Sequence, residues 1–383
     1  VSTLVITSPG GHQVATEEIL VVSQGLDSIG SVLADVEQIV NHPGSSYRPD
    51  GYQVTRARLS CAVDDVSWLR RSLVAYTQQV AEQERWRTTL WDSTRDHFGR
   101  ALVWSLLGQA GVRGGAPGAT LDDAAQALRS LDQPYHPVVS TWEVDRQEGV
   151  GISRGVAERI ARIPEGSNPV RIERYTIADG SSHAEVFVSG TRTWSLEENT
   201  DPFDMRSNLA LVAGAPAAAT MVTERAMRQA GVKPGDRVVF VGHSQGGAVA
   251  ATLAESGRYD TKGLITIGAP VGSQPAGGDY PALRIQHRDD LVVDLAGQPL
   301  AGGHTVVETD SGAVTGDVAG AHSRDRYFQT ATRIDQSEAE LLSQWADDLP
   351  AAARGQARWF EARQDLSLQE LSGGEAAGEK TTQ

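Results

Sequence analysis

A chain of 383 residues with 40% hydrophobic and 22% charged side chains has the composition of an ordinary globular protein, long enough to bury a sizeable core and, on length, to form two or three domains. Its formal charge of -15 leaves no surplus of Lys and Arg for phosphates, so no nucleic-acid partner is expected and acidic substrates are disfavoured. The single cysteine, Cys61, excludes an intramolecular disulfide and a thiolate metal cluster. The first residues, "VSTLVITSPGGHQ", lack a basic start, an apolar run and a small-residue cleavage site, so no signal peptide is expected. No segment reaches the length of a transmembrane span. The address that follows is cytoplasmic, or outside the cell by a route that does not read a signal peptide.

The first third reads as helical. Ile19, Val22, Leu26, Ile29, Leu33, Val36 and Val40 follow alternating steps of three and four, which keeps one helix face apolar until Pro43 and Gly44 stop it. The same steps return at Leu59, Ala62, Val66, Leu69, Leu73, Tyr76 and Val80, so an antiparallel helical hairpin is predicted, with residues 1-100 as a surface for self-association or a helical partner. Trp68, Trp86, Trp91, Trp104 and Trp142 are expected as packing anchors between helices. Thr120 and Asp123 resemble a capping box opening a further helix. Residues 1-150 are therefore expected to form an all-α domain.

From about residue 170 the pattern changes. "VRIERYTIADGSSHAEVFVSGT" reads as two strands around Asp179-Gly180. Beyond it, "DRVVFVG", "GLITIGAP", "ALRIQH" and "HTVVET" are strand-like, with helical stretches around 211-231, 246-256 and 325-347 separating several of them. Strands alternating with helices predict an α/β fold with a mostly parallel sheet covered on both faces, over residues 165-350. Residues 351-383 are expected as a helical extension and a disordered tail.

The segment "VGHSQGG" carries the chemistry. Its G-x-S-x-G core follows the best buried-strand run and precedes the small-residue helix "GGAVAATLA", the context in which a sharp strand-to-helix turn exposes a nucleophilic serine, Ser244. A serine hydroxyl needs a histidine to take its proton and a carboxylate to orient that histidine. Downstream stand only His287, His304 and His322. His287 lies inside a strand-like run. His304 opens one, at the wrong end of a parallel strand, whereas His322 falls in a loop at the end where ligand sites form, so His322 is favoured over His304. Asp289, Asp290 and Asp294 qualify as the acid, and Asp290, just ahead of the apolar "LVV", is favoured because it can turn inward. The N–H groups of Gln245 and of Thr191, which follows a strand ending in Gly190, are the candidate oxyanion donors. His243 is read as support for the turn, and no metal or organic cofactor is expected.

Taken together, "SGT", "VGHSQGGAVAATLA", "TIGAP", an Asp before "LVV" and a late loop histidine resemble the α/β-hydrolases and, within them, are similar to the class 3 (fungal-type) lipases over roughly residues 170-345. The resemblance implies a Ser244-Asp290-His322 triad, an oxyanion hole at Thr191 and Gln245, a carboxylic ester or lipid substrate, and a lid at about 192-215 with Trp194, Phe203, Met205 and Leu209 beneath it. Gln245 stands where those lipases have leucine, Ser189 where they have arginine, and "DDLVVD" lacks their Asn and Pro. Gln after the serine is frequent in cutinase-like and other esterases, which widens the expectation from lipase to ester hydrolase. The N-terminal hairpin resembles in shape the helical hairpins exported by type VII secretion systems, although no Trp-x-Gly is present. That resemblance implies the alternative of an exported effector or interaction protein.

Overall fold

The computed structural model describes residues 4–8, 11–15, 28–36, 38, 59–60, 62–63, 66, 137–176, 181–194, 198–212, 214–270, 278–294, 305–314, 317–337 and 354–365. It has an α/β fold built on one mixed sheet of ten strands: β1 (Leu4–Ser8), β2 (Gly11–Ala15), β3 (Val139–Gly151), β4 (Val170–Thr176), β5 (Ser182–Val188), β6 (Arg237–His243), β7 (Asp260–Ile267), β8 (Ala282–His287), β9 (Thr305–Thr309) and β10 (Arg354–Gln364). The order across the sheet is β2-β1-β9-β8-β7-β6-β5-β4-β10-β3. The five central strands β5 to β9 are parallel, and the flanking pairs are antiparallel.

The parallel strands are near-continuous apolar runs because helices cover both of their faces. In β6 the residues Val238, Val239, Phe240, Val241 and Gly242 are all buried. The helices are α1 (Gly155–Ala161), α2 (Met205–Val212), α3 (Ala218–Gln229), α4 (Gln245–Ala254), α5 (Leu291–Asp294), α6 (Val318–Ala321) and α7 (Arg324–Gln336). On one face Val186, Val188 and Phe240 pack against α2, α3 and α4. On the other, Phe187, Val239 and Val241 meet Val156 and Ile160 of α1 and Tyr327, Ala331 and Ile334 of α7. Each fully buried side chain of Leu or Phe size contributes about 1.5–3 kcal/mol, so the two layers hold the central strands rigidly.

The sheet reaches into both flanks of the chain. Within residues 1–150, expected as all-α, β1 and β2 form a hairpin beside β9, and β3 forms the opposite end of the sheet. The β-branched run "LVITS" and the alternating "VSTWEV" suit strands better than helices. Trp142 accordingly lies on β3 and is 42% exposed, and is no anchor between helices. Residues 28–36 and the described residues between 59 and 66 are helical. The remainder of the predicted hairpin, Trp68, Trp86, Trp91, Trp104 and the Thr120–Asp123 capping box lie outside the described residues, so the surface at 1–100 is not described as a whole.

The expected helical extension after 351 is instead β10, inserted antiparallel between β3 and β4. Its buried residues are Ala357, Phe360 and Gln364, a spacing that imitates a helix. A register shift between Trp359 and Phe360 resets the alternation and produces that spacing in a strand. Among the described residues no helix is long and apolar enough to cross a membrane.

Candidate active site

Parallel strands deliver the segments that follow them to one edge of the sheet, the place where α/β folds assemble ligand sites. Here β5 leads to Ser189-Gly190-Thr191, β6 to Ser244, and β8 to Asp289-Asp290. Ser244 joins β6 directly to α4 with φ 54 and ψ -125, and it is the only non-glycine at positive φ among the described residues. Such backbone is strained for an L-residue and persists only where its surroundings enforce it. They do so through close approach. A Cβ on Gly242 would lie 2.1 Å from the Gly246 carbonyl oxygen, and one on Gly246 would lie 2.3 Å from the carbonyl oxygens of Val188 and Ser189. The glycines two residues either side of Ser244 thus let the turn close and let α4 abut the end of β5.

His322 sits between α6 and α7. Its Nδ1 lies 2.7 Å from Asp290 Oδ2, which fixes the proton on Nδ1, because the carboxylate can only accept. The other ring nitrogen, Nε2, is buried and has no hydrogen-bond partner among the described residues. No hydrogen bond joins it to Ser244 Oγ. The His322 ring stands 4.8 Å from the ring of His243, the residue before Ser244.

Asp290 is completely buried. Burial opposes its ionisation, but hydrogen bonds from His322, from the Tyr327 hydroxyl at 2.7 Å and from the Val292 N–H at 3.0 Å outweigh it and hold the carboxyl below its ordinary range. Asp289 faces elsewhere, accepting the Ser311 N–H at 2.9 Å and the Ser311 hydroxyl after β9. Asp294 ends α5, and His304 lies outside the described residues. His287 is buried against Ala321 and Thr330, so it is not open to a ligand.

Gly190 lies against the turn: a Cβ there would be 3.0 Å from Ser244 Cβ. Thr191 follows, and its Oγ1 accepts a hydrogen bond from Asn208 Nδ2 at 2.8 Å. Gln245 is the first residue of α4, so its N–H has no preceding helical turn to bond. Its side-chain amide donates to the Asp204 carbonyl at 3.0 Å, tying α4 to the start of α2. Asp204 caps α2 by accepting the Ser207 N–H at 2.8 Å. Burial pushes this carboxyl up despite that bond and the one from Asn199. The segment after Thr191 is cinched at its base, where the Arg192 and Thr193 N–H groups donate to the Phe203 carbonyl and the Met205 N–H donates to the Thr193 carbonyl. Within it Phe203, Met205 and Leu209 are buried and Trp194 is exposed.

Sequence reasoning did not single out Tyr327, Asn208 or Asp204. Each is polar and buried or half-buried on or beside a helix, and only the fold brings it to Asp290, to Thr191 or to Gln245. Chemically, the arrangement offers a hydroxyl on a strained turn, an imidazole with one nitrogen oriented and the other without a partner among the described residues, and N–H groups at a helix start and a loop. What the sheet and helices define is an α/β protein with its polar groups gathered at the C-terminal edge of the parallel strands. Compared with known proteins, the chain matches no family model, no curated protein and no solved structure.

Proposed function

We propose that this protein is a serine hydrolase of the α/β-hydrolase type that cleaves carboxylic esters. The observation that carries the reading is the backbone of Ser244, the one strained non-glycine among the described residues, at the strand-to-helix turn of a G-x-S-x-G motif. In the proposed reaction Ser244 Oγ attacks the ester carbonyl carbon while His322 Nε2 takes the hydroxyl proton. Asp290 holds the Nδ1–H tautomer and stabilises the imidazolium. The Thr191 and Gln245 N–H groups meet the oxyanion, and His322 then passes its proton to the departing alkoxide, leaving an acyl-enzyme. Water, deprotonated by the same imidazole, attacks the acyl carbon, and the proton returns to Ser244 as the acid leaves. These steps call for no metal or organic cofactor.

The rival reading, an exported interaction protein, rests mainly on N-terminal residues outside those described. The two separate in one assay. Hydrolysis of p-nitrophenyl esters of increasing acyl length by the intact chain is expected, with Ser244→Ala lowering kcat by about 10⁵-fold. A rate that rises with acyl length would place the enzyme with the lipases and a falling one with the short-chain esterases. No turnover at any length, or full turnover by Ser244→Ala, overturns the proposal.

A further inference from the structure

The two strands that flank β7 end in histidines, and neither has a chemical step in the proposed reaction. His243 is the last residue of β6 and His287 the last of β8. Both rings reach the same short stretch of backbone. His243 Nε2 lies 2.9 Å from the carbonyl oxygen of His322, and His287 Nδ1 lies 2.8 Å from the carbonyl oxygen of Ala321. These two consecutive carbonyls close the last turn of α6, where a helix leaves its carbonyls without intrahelical donors.

A carbonyl oxygen can only accept, so each contact fixes a tautomer: His243 carries its proton on Nε2, His287 on Nδ1. The rest of each environment agrees. His287 Nε2 then accepts from the Thr330 hydroxyl at 3.0 Å, and its ring stacks on Tyr327 with centroids 3.8 Å apart. Packing lowers the basicity of both rings: desolvation pushes His243 down to about 3 and moves His287 in the same direction. Both therefore stay neutral at physiological pH, and His243 adds no positive charge beside the imidazolium that forms on His322.

We propose that His243 and His287 are positioning residues that clamp the loop of the general base, each committing its one N–H to a neighbouring carbonyl and together fixing where the His322 ring stands relative to Ser244. The proposal rests on the ester-hydrolase reading for its kinetic consequence. Its geometric part concerns the His322 ring alone.

The two clamps use different ring nitrogens, and that asymmetry supplies the test. A glutamine amide nitrogen stands in for His Nε2, and an asparagine amide nitrogen for His Nδ1. In the full-length chain, His243→Gln and His287→Asn are matched replacements, while His243→Asn and His287→Gln are mismatched. With a short soluble ester, the matched variants are expected to keep kcat within about threefold of the parent, and the mismatched ones to lose about 30-fold with KM within about twofold, since a displacement near 1 Å is enough for a loss on that scale. The mismatched double variant is expected to lose less than the product of the two single losses, because both clamps hold one loop. Equal kcat in the matched and mismatched pairs, a loss confined to KM, or losses that follow the melting temperature instead of the amide geometry overturn the clamp.

A second readout does not need turnover. The ring ¹⁵N shifts of His322 report its tautomer and are expected to stay with the Nδ1–H form in the parent and the matched variants, and to show mixed tautomers in the mismatched ones. Identical His322 shifts in all four variants overturn the clamp. Shifts that separate the mismatched variants from the matched ones, in a protein that hydrolyses no ester, sustain the clamp while the ester-hydrolase reading fails.

Discussion

Two fully buried carboxyl groups, Asp290 beside the end of β8 and Glu173 in the middle of β4, shift their acidities in opposite directions. Burial opposes ionisation at both. Around Glu173 the partners are cations, Arg171 and Arg162, with the Tyr175 hydroxyl, but burial outweighs them, with a smaller push from Glu185 directly opposite on β5, and the carboxyl ends above its ordinary range. Around Asp290 the partners are His322, Tyr327 and a backbone N–H, with no second carboxylate among the groups that perturb it, and the carboxyl ends below its range. The difference that matters is the kind of partner. A guanidinium keeps its charge at every accessible pH, so the cluster under α1 is a fixed element of the sheet. An imidazole can take and release a proton, so in the proposed reaction the same degree of burial next to His322 serves proton transfer.

The largest expected effect tests that distinction at the proposed triad. Asp290→Asn keeps the shape but removes the charge that stabilises the imidazolium, and it permits the wrong tautomer. It should lower kcat by about 10⁴-fold, with folding by urea titration far less affected. In the other cluster the expectation reverses. Arg162 shares its guanidinium among Glu173, Glu158, the Tyr175 hydroxyl and the Gly151 carbonyl. Arg162→Met leaves buried carboxylates without that cation and should lower unfolding free energy by about 3–5 kcal/mol. Turnover per folded molecule should be unchanged. A large kcat loss in Arg162→Met at full folding would merge the two regions into one functional unit.

Tyr327 links Asp290 to α7 and comes next in size. Its hydroxyl donates to Asp290 and accepts the His287 backbone N–H at 3.1 Å, so Tyr327→Phe leaves a buried donor unpaired, at about 1–3 kcal/mol. The same change moves a pH dependence. Asp290 has a folded-state acidity shifted below its unfolded one, so its contribution to stability is present above about pH 4 and is lost as pH falls through the folded value. Removing the tyrosine bond raises that folded value. The acid side of the stability profile of Tyr327→Phe should therefore move to higher pH, and an unmoved profile would show that the hydroxyl does not hold the carboxylate.

The central strands and the polar residues at their ends were legible because each is a local pattern. The apolar run before Ser244 marks β6, the paired glycines mark a turn without room for side chains, and the aspartate ahead of "LVV" turns inward while Asp289 bonds Ser311. What escaped depends on distance along the chain or on broken alternation. β10 pairs with strands begun some two hundred residues earlier, and its irregular register gives it the apolar spacing of a helix. Tyr327 stands 37 residues after Asp290, with no periodic signal to join them. His287 was visible as a histidine, but its neighbours Ala321 and Thr330 come from α6 and α7, which only the fold brings to the end of β8.

The smallest expected effect concerns the loop after β5, where one hydrogen bond sets the direction of a hydroxyl. Asn208 Nδ2 donates to Thr191 Oγ1 and also lies 3.3 Å from Met205 Sδ, a second acceptor, so the amide presents its nitrogen to both. In the proposed reaction, with its oxygen accepting from Asn208, the Thr191 hydroxyl turns its own proton toward the oxyanion, in addition to the Thr191 N–H. Asn208→Asp replaces a donor with an acceptor at the same position and draws that proton away from the site. Thr191→Val removes it outright. Each should lower kcat by about tenfold with KM little changed, the scale of one neutral hydrogen bond made in the transition state. The double variant should be no slower than Thr191→Val alone, because Asn208 acts only through the hydroxyl that valine lacks. Additive losses would show instead that Asn208 holds α2 in place and leaves the direction of the threonine hydroxyl unset.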